Sequence, residues 1–153
     1  PFDYGAYGRY LGALAPRIAE AAQGARLDVD PAPLAAAAAR LAAAGDAFAA
    51  TRDSVLAAGR ARRDALARAN AALRTVEHTL TRESGLAGRP RARNLVFAAD
   101  RDNGYSNMPF PSVLEAIRDG DAKRAQAEVV ELAGRIDDAR ARVEAARRAL
   151  GGA

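Results

Sequence analysis

The sequence predicts an all-α fold: an up-and-down helical bundle of four long helices plus one short helix, with a long ordered loop between helices three and four. Three observations carry that expectation. Apolar residues recur at steps of three and four, or every seven, through four extended stretches, as a helix with one buried face requires. Alanine, the strongest helix former, fills the positions between them. Between the third and fourth helices the period stops, and an interval from Gly85 to Pro111 is rich in Gly, Pro, Asn and Asp.

The first stretch runs from about Tyr4 to Ala22, where Tyr7, Leu11, Leu14, Ile18 and Ala21 share a face, and Gln23-Gly24 ends it. Pro16 lies inside it and lacks the amide hydrogen the helix ladder needs, so the helix must kink or split there. The second begins with Asp30 as N-cap and Pro31 at the first helical position. Leu34, Leu41, Phe48 and Val55 then repeat at heptad spacing up to a stop at Ala58-Gly59. The third spans about Ala61 to Arg82, with Leu66, Leu73, Val76 and Leu80 as its stripe and Ser84-Gly85 closing it. In the interval that follows, Leu95-Val96-Phe97 reads as a strand or an extended packed segment. Ser112 is placed to cap a short fourth helix, with Glu115 completing a capping box and Val113, Leu114 and Ile117 as the apolar side. After Asp119-Gly120 the last helix runs from Asp121 to about Leu150 on Val129, Leu132, Ile136, Ala139, Val143, Ala146 and Leu150.

Leu, Val, Phe and Ile together supply only 29 of the 153 residues, so alanine provides much of the remaining apolar surface. Alanine buries little area, and such a core needs closely approaching helices or a partner surface. The net charge is +4, and Lys123 is the only lysine among 23 basic side chains. The arginines alternate with acids, as in Arg52-Asp53 and Arg63-Asp64. The denser clusters, Arg60 with Arg62 and Arg63, and Arg89 with Arg91 and Arg93, form no one-sided stripe. That pattern reads as a solvated helix surface, and no nucleic-acid partner is expected. There is no cysteine, hence no disulfide. No apolar run approaches the ~20 residues of a membrane span, so no membrane contact is expected from this segment. The only methionine is Met108, so residues 1–153 read as a processed product or a single domain excised from a larger chain.

Chemistry is sparse. His78 is the only histidine, and it falls off the apolar stripe of the third helix, as a surface residue would. Zinc sites need several His, Cys or carboxylate ligands converging on one metal, so no metal or cofactor site is expected in this chain. Asp137-Asp138 point in divergent directions on a helix. The serines have no histidine base in prospect, and no glycine-rich phosphate loop precedes a helix, so no catalytic residue is expected. The interval after Gly85 is different. Connections longer than about 12–15 residues are uncommon inside compact domains and are usually functional or disordered. This one holds Phe97, Tyr105, Met108 and Phe110, which disordered segments tend to lack. Asp102-Asn103-Gly104-Tyr105 reads either as a plain Asn-Gly turn or as a turn presenting an amide and a phenol to a carboxylate or carbonyl.

The same interval carries a resemblance. Gly85-Leu86, Arg89-Pro90, Asn94-Leu95-Val96-Phe97-Ala98, Asn103-Gly104-Tyr105 and Phe110-Pro111 before a short helix follow one another in an order and spacing of their own. They resemble the C-terminal dimerisation domain shared by glutamate carboxypeptidase II and the transferrin receptor. The opening Pro1-Phe2-Asp3-Tyr4 is similar to the start of that domain, and the element lengths match from end to end.

The resemblance implies a homodimer and an upstream peptidase domain binding two zinc ions, with which this helical domain packs. It also implies a secreted, periplasmic or otherwise extracytoplasmic setting. In the carboxypeptidase branch the loop between the third and fourth helices, here 99–110, helps close the pocket for the C-terminal residue of a peptide substrate. Asn103, Gly104 and Tyr105 are then the substrate-binding residues. That branch has Asn-Lys-Tyr at this point, and Gly104 replaces the lysine that grips an acidic terminal residue. Tyr105 remains able to hold a terminal carboxylate, and a neutral or broader preference is expected. Transferrin-receptor-like members are not peptidases, so the alternative is a purely structural or receptor-type dimerisation module.

Overall fold

The structure, a computed structural model, describes residues 2–151, so Pro1 of the opening motif lies outside the described residues. Its elements are α1 (Tyr4–Leu14), α2 (Pro16–Ala25), α3 (Ala32–Ala57), α4 (Arg63–Leu73), α5 (Val76–Thr79), β1 (Phe97–Ala99), β2 (Asn107–Pro109), α6 (Pro111–Arg118) and α7 (Ala122–Gly151). The fold is mostly helical, with one small antiparallel sheet. Only α3 and α7 are long, where the sequence predicts four long helices.

The first predicted helix divides at Ala15, because Pro16 opens α2 and has no amide hydrogen to continue α1. Arg26, left-handed at φ 57°, then ends α2 slightly beyond the expected stop. The third predicted helix also breaks, at Arg74-Thr75. There the Thr75 hydroxyl donates to the Ala72 carbonyl at 2.7 Å, a local bond that competes with the helix ladder. Asp30 accepts from the Ala32 amide at 2.8 Å, but the helix begins one residue later than expected, with Pro31 at the N-cap and Ala32 as the first helical residue. The capping box at the short helix does not form. Phe110 precedes α6 in a left-handed conformation, Ser112 sits within the helix with its hydroxyl unpartnered, and Glu115 turns to Arg89.

The core lies between α3 and α7. Leu34, Leu41 and Phe48 on one, and Val129, Leu132, Ile136, Ala139, Val143 and Ala146 on the other, are buried as their spacing predicts. Arg40 ties the two helices by pairing with Asp137 at 2.7 Å. On its other side α3 receives α1 at glycines. A Cβ on Gly8 would lie 2.4 Å from the Ala42 amide nitrogen, and one on Gly45 would lie 2.2 Å from the Gly5 nitrogen. Backbone meets backbone there, which is how an alanine-rich pair of helices can pack without large side chains. Helices α4, α5 and α6 pack on α7, and α2 packs on α6.

The interval from 85 to 111 is folded. Its first part is stitched to the end of the third helical region: the Arg82 amide donates to the Arg93 carbonyl (2.8 Å) and the Leu95 amide to the Leu80 carbonyl (3.0 Å). Leu86, Leu95 and Val96 are buried. Phe97 begins β1, paired antiparallel with β2 in the register Phe97 to Pro109, Ala98 to Met108 and Ala99 to Asn107.

Candidate functional site

The hairpin β1–β2 grows from a buried root. Asn94 Oδ1 accepts from the Val96 amide (2.8 Å) and the Phe97 amide (3.0 Å), turning the chain out of the core. Met108 and Phe110 bring it back in, both buried, and the Phe110 amide donates to the Val96 carbonyl at 2.8 Å. Between the two arms, residues 100–106 form the tip.

The tip is ordered by its own polar groups. Asn103 Oδ1 accepts from the Tyr105 amide (3.0 Å), the Ser106 amide (3.2 Å) and the Ser106 hydroxyl (3.2 Å). Gly104 has φ 68°, a conformation a side chain disfavours, and its amide donates to the Asp100 carbonyl at 2.8 Å. Tyr105 is left 100% exposed, with its ring outside every packed layer. The sequence-predicted residues Asn103, Gly104 and Tyr105 therefore stand together at one turn, in distinct parts. Asn103 is the internal acceptor, Gly104 makes the turn, and Tyr105 is presented.

A ring of ion pairs binds the tip to α6. Arg118 reaches Asp100 at 2.9 Å and Asp102 at 2.8 Å, while Arg101 and Arg124 converge on Asp119. The Arg118 guanidinium and the Asp102 amide hold the Asp100 carboxyl down at about 2. Arg101, then Arg124, hold the Asp119 carboxyl well below its ordinary range. Beneath this ring Arg89 pairs with Glu115, which is only 2% exposed, and donates to the Ala99 carbonyl at 2.8 Å. Sequence reasoning missed these supports. Arg89 stood out as part of a basic cluster and of the Arg89-Pro90 motif, and nothing local in the sequence links residues 26 positions apart.

Elsewhere the surface offers little chemistry. A groove of about 730 Å³ between the start of α1 and α4–α5 is lined by Phe2, Tyr4, Tyr7, Leu73, Val76 and His78 among others. Burial first, then the charge of Glu77, pushes the Tyr7 phenol up to about 12, so it stays neutral at ordinary pH. His78 is exposed there, as its position off the stripe predicts. Among the described residues no group of three or more His, Cys, Asp or Glu side chains is gathered to hold a metal ion. No helix among the described residues is long and apolar enough to cross a membrane.

A family model described as the transferrin receptor-like dimerisation domain matches residues 29–144. The chain belongs to this family. The matched range runs from before α3 across the hairpin and most of α7. No curated protein matches the chain. Self-association is the role the dimerisation domain carries, and Tyr10, Leu56 and Val130 are among the apolar side chains it leaves more than half exposed.

Proposed function

We propose that this dimerisation domain belongs to a larger zinc-dependent carboxypeptidase resembling glutamate carboxypeptidase II. In that protein it would pair two protomers, pack against the peptidase domain and help close the substrate pocket with its 99–110 loop. One observation carries the reading: the tip is rigidly held on α6 by Arg118 and Arg89 while Tyr105 projects fully exposed. A loop that merely connected two helices would not need a presented phenol on an ordered mount. In the pocket, Tyr105 would donate its hydroxyl to the terminal carboxylate of a peptide. The neighbouring arginines are already committed to Asp100, Asp102 and Asp119, so the tip adds no free cation where Gly104 stands. The terminal residue favoured would then be neutral. Any zinc would be held by the peptidase domain.

The test is Tyr105→Phe in the full-length protein. The expected result is a KM raised by roughly 10- to 150-fold with the dimer intact, since a hydrogen bond to a charged group contributes about 1.5–3 kcal/mol. Unchanged kinetics would remove the substrate contact. The second reading is a receptor-type module without peptidase activity, favoured by the glycine at position 104. The upstream sequence decides, because an intact set of His, Asp and Glu zinc ligands supports the enzyme and its absence supports the module.

A further inference from the structure

We infer that Arg89, through its pair with Glu115, is the positioning residue that fixes the hairpin tip on α6 and so aims Tyr105. The inference rests on the pocket reading only for what Tyr105 touches, and its mechanical part stands alone.

The sheet that carries the tip is three residue pairs long, and so short a ladder does not by itself set a direction. Something must hold its outer end. One guanidinium does so from beneath: Nη1 donates to the carbonyl of Ala99, the last residue of β1, and Nη2 donates to Glu115 in the middle of α6. Two donors in a planar fork can bridge two acceptors in fixed directions, which a single ammonium cannot do. Arg89 is itself anchored by a knot of turns, with its amide donating to the Leu86 carbonyl (2.9 Å) and its carbonyl accepting from the Ala92 amide (3.0 Å). A Cβ on Gly85 would lie 2.5 Å from the Pro90 carbonyl oxygen, so the knot is closed to other residues.

The outer pairs supplement this support: Arg118 meets Asp100, whose side chain is 11% exposed, and Asp102, which is 64% exposed, so only the first of the two is sheltered from solvent. Glu115 and Ser112, both on α6, are polar side chains buried among the described residues. Arg89 Nε and Ser112 Oγ are buried without partners at this junction. Unpaired buried polar atoms cost free energy, so the junction is shaped for direction at some expense of stability.

The test is hydrogen exchange in the full-length protein with Arg89→Met, Arg89→Lys and, as the milder variant, Glu115→Gln, which keeps an acceptor for the guanidinium. Both Arg89 variants should raise exchange of the 97–109 amides by roughly tenfold or more while the α3 and α7 amides keep their protection. Glu115→Gln should raise it less. Unchanged exchange in the hairpin, or an equal rise throughout the chain, overturns the inference. Kinetics on the same proteins judge the pocket reading separately. A higher KM with kcat kept, and no further rise when Arg89→Met is added to Tyr105→Phe, is expected if Arg89 acts through Tyr105. Faster hairpin exchange with an unaltered KM counts against the pocket and leaves Arg89's mechanical role in place.

Discussion

Phe110 holds a left-handed backbone, φ 49°, although it carries a ring, and that ring is fully buried. The backbone conformation lets β2 turn directly into α6 at Pro111, and burial of the aromatic offsets its strain. Phe110→Ala should destabilise the fold by about 3–5 kcal/mol, read as the shift in a denaturant midpoint. A loss below about 1 kcal/mol would mean the ring is not the plug it occupies the place of. At the tip the charged side chains govern. Asp100 has its carboxyl lowered from 3.8 to about 2, so its pairing contributes in full above the ordinary value and is lost as pH falls through the lowered one. Amides of residues 100–106 should therefore lose protection as pH drops from about 4 to about 2, whereas in Asp100→Asn they should be less protected already at neutral pH and show no such step.

The crossing of α1 on α3 depends on Gly5, Gly8 and Gly45. Because a Cβ on Gly8 or Gly45 would meet backbone, which cannot swing away, Gly8→Ala and Gly45→Ala should each destabilise by about 1–3 kcal/mol. Gly24→Ala, with nothing within 4 Å, should be neutral or mildly stabilising, and the contrast is measured by thermal melts of the three variants. How legible each element was follows from whether its determinants are local. The α7 stripe and the α3 heptads repeat often enough to survive any boundary error, and their residues are buried as read. The split at Pro16 follows from a missing amide hydrogen. The break at Thr75 does not show in the periodicity, since Leu73 and Val76 keep the step while a side-chain hydroxyl takes the carbonyl. The capping box at Ser112 matched a local pattern, but Glu115 is bound by an arginine from a distant turn. For the tip, the order, the Asn-Gly turn and the packed aromatics were readable. The arginines that hold it were not, because Arg89 and Arg118 pair with residues 16 or more positions away in the chain.

At the scale of the molecule, 23 basic residues overstate the free positive charge. Arg9, Arg40, Arg82, Arg118 and Arg140, among others, are paired with carboxylates. Duplex DNA should accordingly bind weakly, with affinity vanishing near physiological salt; tight binding that persists in a salt titration would contradict this. Self-association is the stronger expectation. A standard interface covers about 800 Å² of each partner, a modest share of the 8339 Å² this chain exposes. With small residues filling so much of the core, that added burial should matter, and the melting temperature should rise with protein concentration, alongside a dimer mass in light scattering. A concentration-independent melt at monomer mass would count against it.

The turn at Phe110 has one more result. The residue that follows the hairpin carries a fully buried ring, so the turn is rooted in the interior while the outermost phenol stands in solvent. Whatever grips Tyr105 firmly enough to still it should slow exchange of the hairpin amides from Phe97 to Met108. Occupancy at the tip would be legible within the hairpin itself, and would fade where the Phe110 ring enters the interior.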